Sequence, residues 1–400
     1  MNKFYLGTWA LFIVLIPFYL MGKVPVPKHQ IMAATVLNQG TGPKVESGVP
    51  QLSDYLMLVL MVSVAGGIGI RFLRSHEPVV RAFAGFVVYA TLINLFWSVW
   101  TLDWSCCQYT LFYAYDVPVF ATFLVLYNKF KDKLLWVTVH ALAASVFLQV
   151  VLSPFVHEAS WGDRQPIFFN SPNQLGHFTV LAAILFSVGA RYFRLNPWYQ
   201  VCYYTSLAYL VYISQCRAGI LALGLMTVLS LMERPLRLAL GLVSIGTAYL
   251  IIGFASTGAE HTTERLFRFT GKFDTPEKRG YDRIANHPQY LFLGAGEGAY
   301  DRFESELYGS ELHSSFGTLL FCYGIPGTIL FGRALFLVFA RAGSRSTLLL
   351  LPAFLFGLTH QGLRFSLFWV LLAFLLCLGK GLSRSGSASG HEPSPAWQGV

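Results

Sequence analysis

Charge is what this sequence has least of. Of its 400 residues only 12% are Asp, Glu, Lys or Arg, about half the 25% usual in soluble domains. That shortfall excludes an ordinary water-soluble protein, and no separate soluble domain stands out. Cysteine is scarce as well: the six present have no metal-ligand spacing, and no cofactor is expected. Internal repeats are missing. A nucleotide-binding unit is missing too. Gly294, Gly296 and Gly298 in "GAGEG" have no strand–helix–strand context, and a tight turn accounts for them better. The first apolar run lacks a small-x-small cleavage site, so it reads as an uncleaved helix. The net charge of +9 does not mark a nucleic-acid partner, because most Lys and Arg fall in short loops between apolar runs.

Apolar residues fill the rest. They make up 54% of the chain, and mean hydropathy is +0.53. A helix needs roughly 20 apolar residues to cross the hydrocarbon core. Twelve runs qualify: 4–21, 52–72, 79–100, 109–128, 134–153, 174–193, 198–214, 217–232, 236–255, 313–340, 346–361 and 363–380. For the last two, one re-entrant hairpin is the alternative. The expected fold is all-α and polytopic in the lipid bilayer, one transmembrane domain over 1–382 with a disordered cytoplasmic tail over 383–400. Alternate short loops are basic: Arg71, Arg74 and Arg81, then Lys129, Lys131 and Lys133, then Arg191 and Arg194, then Arg234 and Arg237, then Arg333, Arg341 and Arg345. Positive charge favours the cytoplasmic side, which places both termini inside. The outer face then receives 22–51, 101–108, 154–173, the turn at 214–217, 256–312 and the turn near 360–364.

The segment 256–312 is a charged island. Its 10 acids and 7 bases are 17 of the 49 charged residues in the chain. Polar groups also gather at the outer helix ends: Asn173, Gln174 and His177, then Arg217, His313, His360 and Arg364. Such groups are costly beside hydrocarbon and tend to be kept for function. Arg217, in "SQCRAGILALGL", has two open roles. It is an anchor snorkelling to headgroups, or a planar fork for phosphoryl oxygens. His313, in "ELHSSFGTLL", precedes an apolar helix whose positive end favours a neutral imidazole; a helix-capping role stays open. Pro326, further along, predicts a kink. Lys272, Lys278, Arg279 and Arg283 form a basic cluster, read as a phosphate site or as solvated surface. In "FFNSPNQLGHF", Asn173 is placed to cap the next helix, and a substrate-facing role for Asn173 or His177 is equally open. A disulfide among Cys106, Cys107 and Cys216 is also open.

Taken in order, "NSPNQLGHF", the Arg217 turn, "NHPQYLFLGAGEG" and "ELHSSFGTLLFCYGIPGTILF" resemble the motifs of the lipopolysaccharide O-antigen ligases and Wzy-type O-antigen and exopolysaccharide polymerases. The resemblance covers residues 165–335. It implies a GT-C-like, metal-independent, inverting membrane glycosyltransferase of the bacterial inner membrane, with its site on the periplasmic face. The implied donor is a glycan on undecaprenyl pyrophosphate. A repeat-unit flippase and a chain-length regulator are the implied protein partners. Arg217 is carried over as a pyrophosphate ligand and His313 as the catalytic histidine. The family's second loop arginine aligns with Lys272, while Arg279 and Arg283 lie nearer the His-Pro stretch but off that spacing. Lysine offers a point charge in place of a fork.

Physical reasoning reaches a similar expectation. An outer-face enzyme has no nucleotide supply, so its substrate arrives already activated. Arg217 and a loop cation stabilise the charge of a departing pyrophosphate, and His313 takes the proton of the incoming hydroxyl. Glu304, Glu306 and Glu311 are further candidates for that base. Donor-side motifs do not separate polymerase from ligase; the stretch after His313 leans to a polymerase. A transporter or flippase is the reading from a different class.

Overall fold

The computed structural model describes residues 2–19, 50–67, 77–156, 164–231, 279–303, 311–343 and 347–387. The expected span 236–255, Lys272, Lys278, Glu304 and Glu306 lie outside them, as does much of the island. Among the described residues every regular element is helical and there is no strand. The described residues before the island form eight α-helices: α1 Asn2–Leu15, α2 Leu52–Gly67, α3 Glu77–Thr101, α4 Ser105–Phe130, α5 Asp132–Leu152, α6 Pro172–Phe193, α7 Pro197–Ser214 and α8 Arg217–Leu231. Two short ones lie in it, α9 Asp282–Asn286 and α10 Tyr290–Leu293. A short turn of helix, α11 Ser315–Gly317, continues as a π-turn over Thr318–Cys322. Then come α12 Gly324–Ala342, α13 Leu351–Thr359 and α14 Ser366–Ser387.

Among the described residues five helical stretches are long and apolar enough to cross a membrane: Pro78–Thr101, Ser105–Phe130, Asp132–Phe155, Pro172–Phe193 and Gly324–Ala342. Four match expected spans to within a few residues, the fifth begins eleven residues after the expected start at 313, and four shorter apolar helices accompany them. Large apolar side chains stand exposed on their outer faces, among them Leu92 (59%), Leu111 (68%) and Phe336 (67%). Water would penalise such surface and lipid does not. Among the described residues the expected span at 346–361 is not a full-length helix. Its nine-residue helix Leu351–Thr359 is about 14 Å long, against a hydrocarbon core of about 30 Å. The final helix runs to Ser387, five residues into the stretch assigned to the tail; 388–400 lie outside the described residues.

The kink expected at Pro326 falls two residues earlier and is a full break. Gly324 takes φ +64°, and the preceding turn is π. Proline has no N–H, so the Cys322 carbonyl, four residues back, loses its helical donor. The island fills the gap: Gly296 N–H donates to Cys322 O at 2.8 Å, and Ala295 N–H to Phe321 O at 2.8 Å.

One end of the bundle collects the segments expected outside. Ser105 Oγ accepts from Ala299 N–H, Arg164 Nη2 donates to Asn173, and Arg364 joins Glu297. The other end collects Lys129 over the Tyr5 ring and the Tyr192–Asp132 bond. All six cysteines are free thiols.

Candidate functional site

Helix α6 runs through the centre of the bundle; its span is 89% buried, against 33% for α3. Ser171 caps it, accepting from Gln174 N–H at 3.3 Å, with Pro172 in the first turn. The cap is therefore Ser171 and not Asn173. Asn173 Oδ1 instead accepts from Arg164 Nη2 at 2.7 Å, while Arg164 Nε donates to Ser214 O at 3.3 Å. Arg164 ties the start of α6 to the turn that carries Arg217. Gly176 and Gly219 let α6 and α8 touch there. A Cβ on Gly176 would lie 2.6 Å from Cys216 Cβ, and one on Gly219 3.3 Å from Gly176 Cα. This crossing fixes Arg217 at the head of α8, with its Nε shut off from solvent.

His313 stands just before the helix at Ser315. Ser314 is the N-cap, accepting from Gly317 N–H at 3.1 Å. The His313 N–H donates to Arg279 O at 3.1 Å. The two serines stitch this motif to the turn after α13. Ser314 Oγ donates to Gly357 O at 3.2 Å and Ser315 Oγ to His360 O at 3.1 Å. Ser315 Oγ in turn accepts from Gly362 N–H at 2.8 Å. Arg279 and Tyr281 reach from the island to the last carbonyls of α13, at Thr359 and Leu358, where cations suit the negative helix end. His360 packs on Phe356 (4.8 Å between centroids), which stacks on His177 (4.6 Å). Gly362 has no Cβ because His177 occupies the space, 2.5 Å from where it would sit.

The structure thus brings His313, Arg279, His360 and His177 together, with Asn173 and Arg217 on the adjoining corner. Burial pushes the His313 imidazole below its ordinary range; Glu311 raises it, and Arg279, Arg283 and Arg364 lower it further. His360 is pushed down to about 3 by burial, then by Arg279, His313, His177 and Arg164. Burial thus favours the neutral form of both imidazoles. A small apolar recess of about 40 Å³ adjoins them, its lining including His177, Ser315, Gly362, Phe316, Phe354 and Phe368.

Arg283 and Arg364 are placed differently. Arg283 is 3% exposed and lies over the rings of Tyr300 (5.3 Å) and Phe303 (5.9 Å). Arg364 holds two carboxylates. It bonds Glu297 Oε1 through Nε at 3.0 Å and through Nη2, and Glu311 Oε2 through Nη1 at 2.8 Å, with Tyr109 beneath it at 4.2 Å. Burial would weaken the guanidinium's charge, but Glu297 and Glu311 hold its pKa well above the usual arginine range. Burial alone would raise the Glu311 carboxyl; Arg364 and then His313 keep it below the ordinary glutamate range.

Glu297 is the residue that sequence reasoning passed over. It is fully buried and accepts from Tyr113 (3.1 Å), Tyr323 (2.5 Å), Gln361 (3.2 Å) and Arg364. Its one sequence signal is a lone acid between glycines. Arg164 was missed as well, although an arginine in an outer loop stands out by the same logic that picks Arg217. Among the described residues no group of His, Cys, Asp and Glu has the arrangement to hold a metal. No protein-family model matches the chain, and no curated protein matches it either.

Proposed function

We propose that this protein is a membrane glycosyltransferase that joins lipid-linked oligosaccharide units, in the manner of the polysaccharide polymerases its motifs resemble. The observation that carries the reading is the His313 corner. A neutral imidazole, a second one at His360, and Arg279 share one end of an apolar helical bundle, and the Arg217 turn adjoins them. The donor would be a glycan on undecaprenyl pyrophosphate at the periplasmic face of the inner membrane. His313 takes the proton of the acceptor hydroxyl. That oxygen bonds to the anomeric carbon from the side opposite the pyrophosphate, inverting it, and the anomeric C–O bond breaks toward the leaving group. Arg217 and Arg279, with Lys272 as a further cation, balance the charge of the departing pyrophosphate. The apolar recess beside His177 suits the first carbons of the lipid.

Protein in vesicles, given a lipid-linked oligosaccharide, is expected to lengthen the glycan and release undecaprenyl pyrophosphate. Growth only when lipid A–core is supplied would make it an O-antigen ligase instead. A transporter or flippase is the second reading, favoured by the broken helix at Gly324 and by Asp116, a 1% exposed acid bonded to Ser366 at 2.7 Å. Transporters use such breaks to line a substrate cavity, whereas here the island's own backbone occupies the break. Solute or lipid movement across the vesicle without chain growth would favour that reading.

A further inference from the structure

The island does not stay above the bundle. Part of it wedges between α3 and the broken helix. Leu293 O accepts from Tyr89 Oη at 2.7 Å, and Gly294 O from Trp97 Nε1 at 2.9 Å. A Cβ on Gly324 would come within 2.7 Å of Gly294 N, and Gly294 itself has φ +102°. Only glycine backbones pass each other this closely.

The basic end of the bundle serves as a ruler. Tyr89 is eight residues from the exposed Arg81, about 12 Å of helix. Gly324 is nine residues from the exposed Arg333, about 14 Å. Long basic side chains reach the headgroups from below the hydrocarbon edge. A core about 30 Å thick, laid from that end, therefore extends well past Leu293 and Gly294.

Backbone at that depth must have its polar groups bonded internally, and this segment meets the condition. Gly294 N–H donates to Tyr290 O at 2.7 Å, while Ala295 and Gly296 donate to the carbonyls freed by the helix break. Glu297 N–H finds Asn94 Oδ1 at 2.8 Å, and Ala299 N–H finds Ser105 Oγ at 3.0 Å. The carbonyls of Leu293, Gly294 and Ala295 are taken by Tyr89, Trp97 and Arg302. A loop in water has no need of this. The outward side chains agree: Phe292 is 75% and Leu293 63% exposed. They lie alongside the exposed stripe of α3 formed by Val88, Leu92 and Phe96.

We infer that residues 290–298 are a re-entrant membrane segment whose Phe292 and Leu293 face the lipid acyl chains on the island side of the bilayer. The occupant is lipid because the apolar surface is continuous with that of a helix long enough to span. The inference rests on the bundle being embedded in a membrane and not on the transfer chemistry.

Spin labels test it in full-length protein in lipid nanodiscs, with Cys107 and Cys202 replaced by Ser. Labels at Phe292→Cys and Leu293→Cys are expected to collide with oxygen more than with an aqueous nickel chelate. At Asn286→Cys, an exposed polar position, the preference should invert. Nickel preference at 292 and 293 would overturn the inference by placing the segment in water. Labels shielded from both reagents would overturn it by placing a second copy of the chain there. If the cysteine variants fold poorly, a photoreactive phenylalanine analogue at 292 samples the same surroundings. Crosslinks to lipid support the segment, and crosslinks to protein alone contradict it.

Discussion

Two polar clusters share one end of this bundle, and they are built on opposite plans. Around Glu297 and Arg364 the bonding is complete. The carboxylate takes hydrogen bonds from two tyrosines, a glutamine and the guanidinium, and Arg364 is shared with Glu311. Around His313 and His360 the bonds run through backbone and serine hydroxyls, and neither imidazole is engaged in a hydrogen bond among the described residues. A saturated charge pair holds structure, because any change in protonation would break several bonds at once. Under the proposed chemistry the ring nitrogens of these imidazoles stay open to a reactant, although the His360 ring itself packs on Phe356. Under that chemistry polarity by itself does not mark the reactive residues; the number of partners already taken does.

That contrast is open to direct attack, beginning where the effect is largest. Arg364→Ala leaves the Glu297 carboxylate buried and unpaired, and loss of one partner from such a pair costs roughly 3–5 kcal/mol. The expected result is a much lower thermal midpoint in detergent. Replacing both residues by Met should recover most of it. If the single variant unfolds like the parent, the pair is not a structural clamp.

A smaller effect concerns acid. The folded His360 pKa, at about 3, lies below its ordinary 6.5. The unfolded chain therefore binds the extra proton between those values. The stability His360 contributes is complete above pH 6.5 and is lost as pH falls toward 3, at up to about 1.4 kcal/mol per pH unit. Thermal unfolding followed from pH 7 to 4 should fall more steeply for the parent than for His360→Gln. Parallel curves would show that this imidazole is not held neutral by its surroundings.

The smallest effect separates scaffold from site. Ser171→Ala removes the cap of α6 and should cost about 1 kcal/mol, leaving turnover per folded molecule unchanged. A drop in turnover with unchanged stability would place Ser171 in the site, against the bonding seen.

Legibility in the sequence followed the range of the interactions. The spans at 79–100, 109–128, 134–153 and 174–193 were readable because long apolar runs are a local signal, and they match helices to within a few residues. Which of the described loops meet at one end of the bundle was readable from alternating charge. The shortened span at 346–361 was not, since its apolar composition suits half a helix packed on α8 as well as a full one in lipid. Pro326 announced a disturbance, but its place at Gly324 depends on the island's backbone, about thirty residues earlier in the chain. Arg364 read as a substrate ligand because its partner Glu297 lies 67 residues away. Nothing local distinguishes an arginine awaiting an anion from one that already holds it. His313 and Arg279 could be named singly as site residues, whereas their meeting at the end of α13 could not.

The central claim is that His313 is a base and no part of the scaffold. Its most direct test is single-turnover extension of a lipid-linked oligosaccharide by His313→Ala beside the parent protein, with the thermal midpoint of each measured in the same vesicles. Glycosyl transfer at this corner predicts a loss of at least about 100-fold in rate with the midpoint unmoved. Chain growth at the parental rate by a folded His313→Ala protein would contradict it.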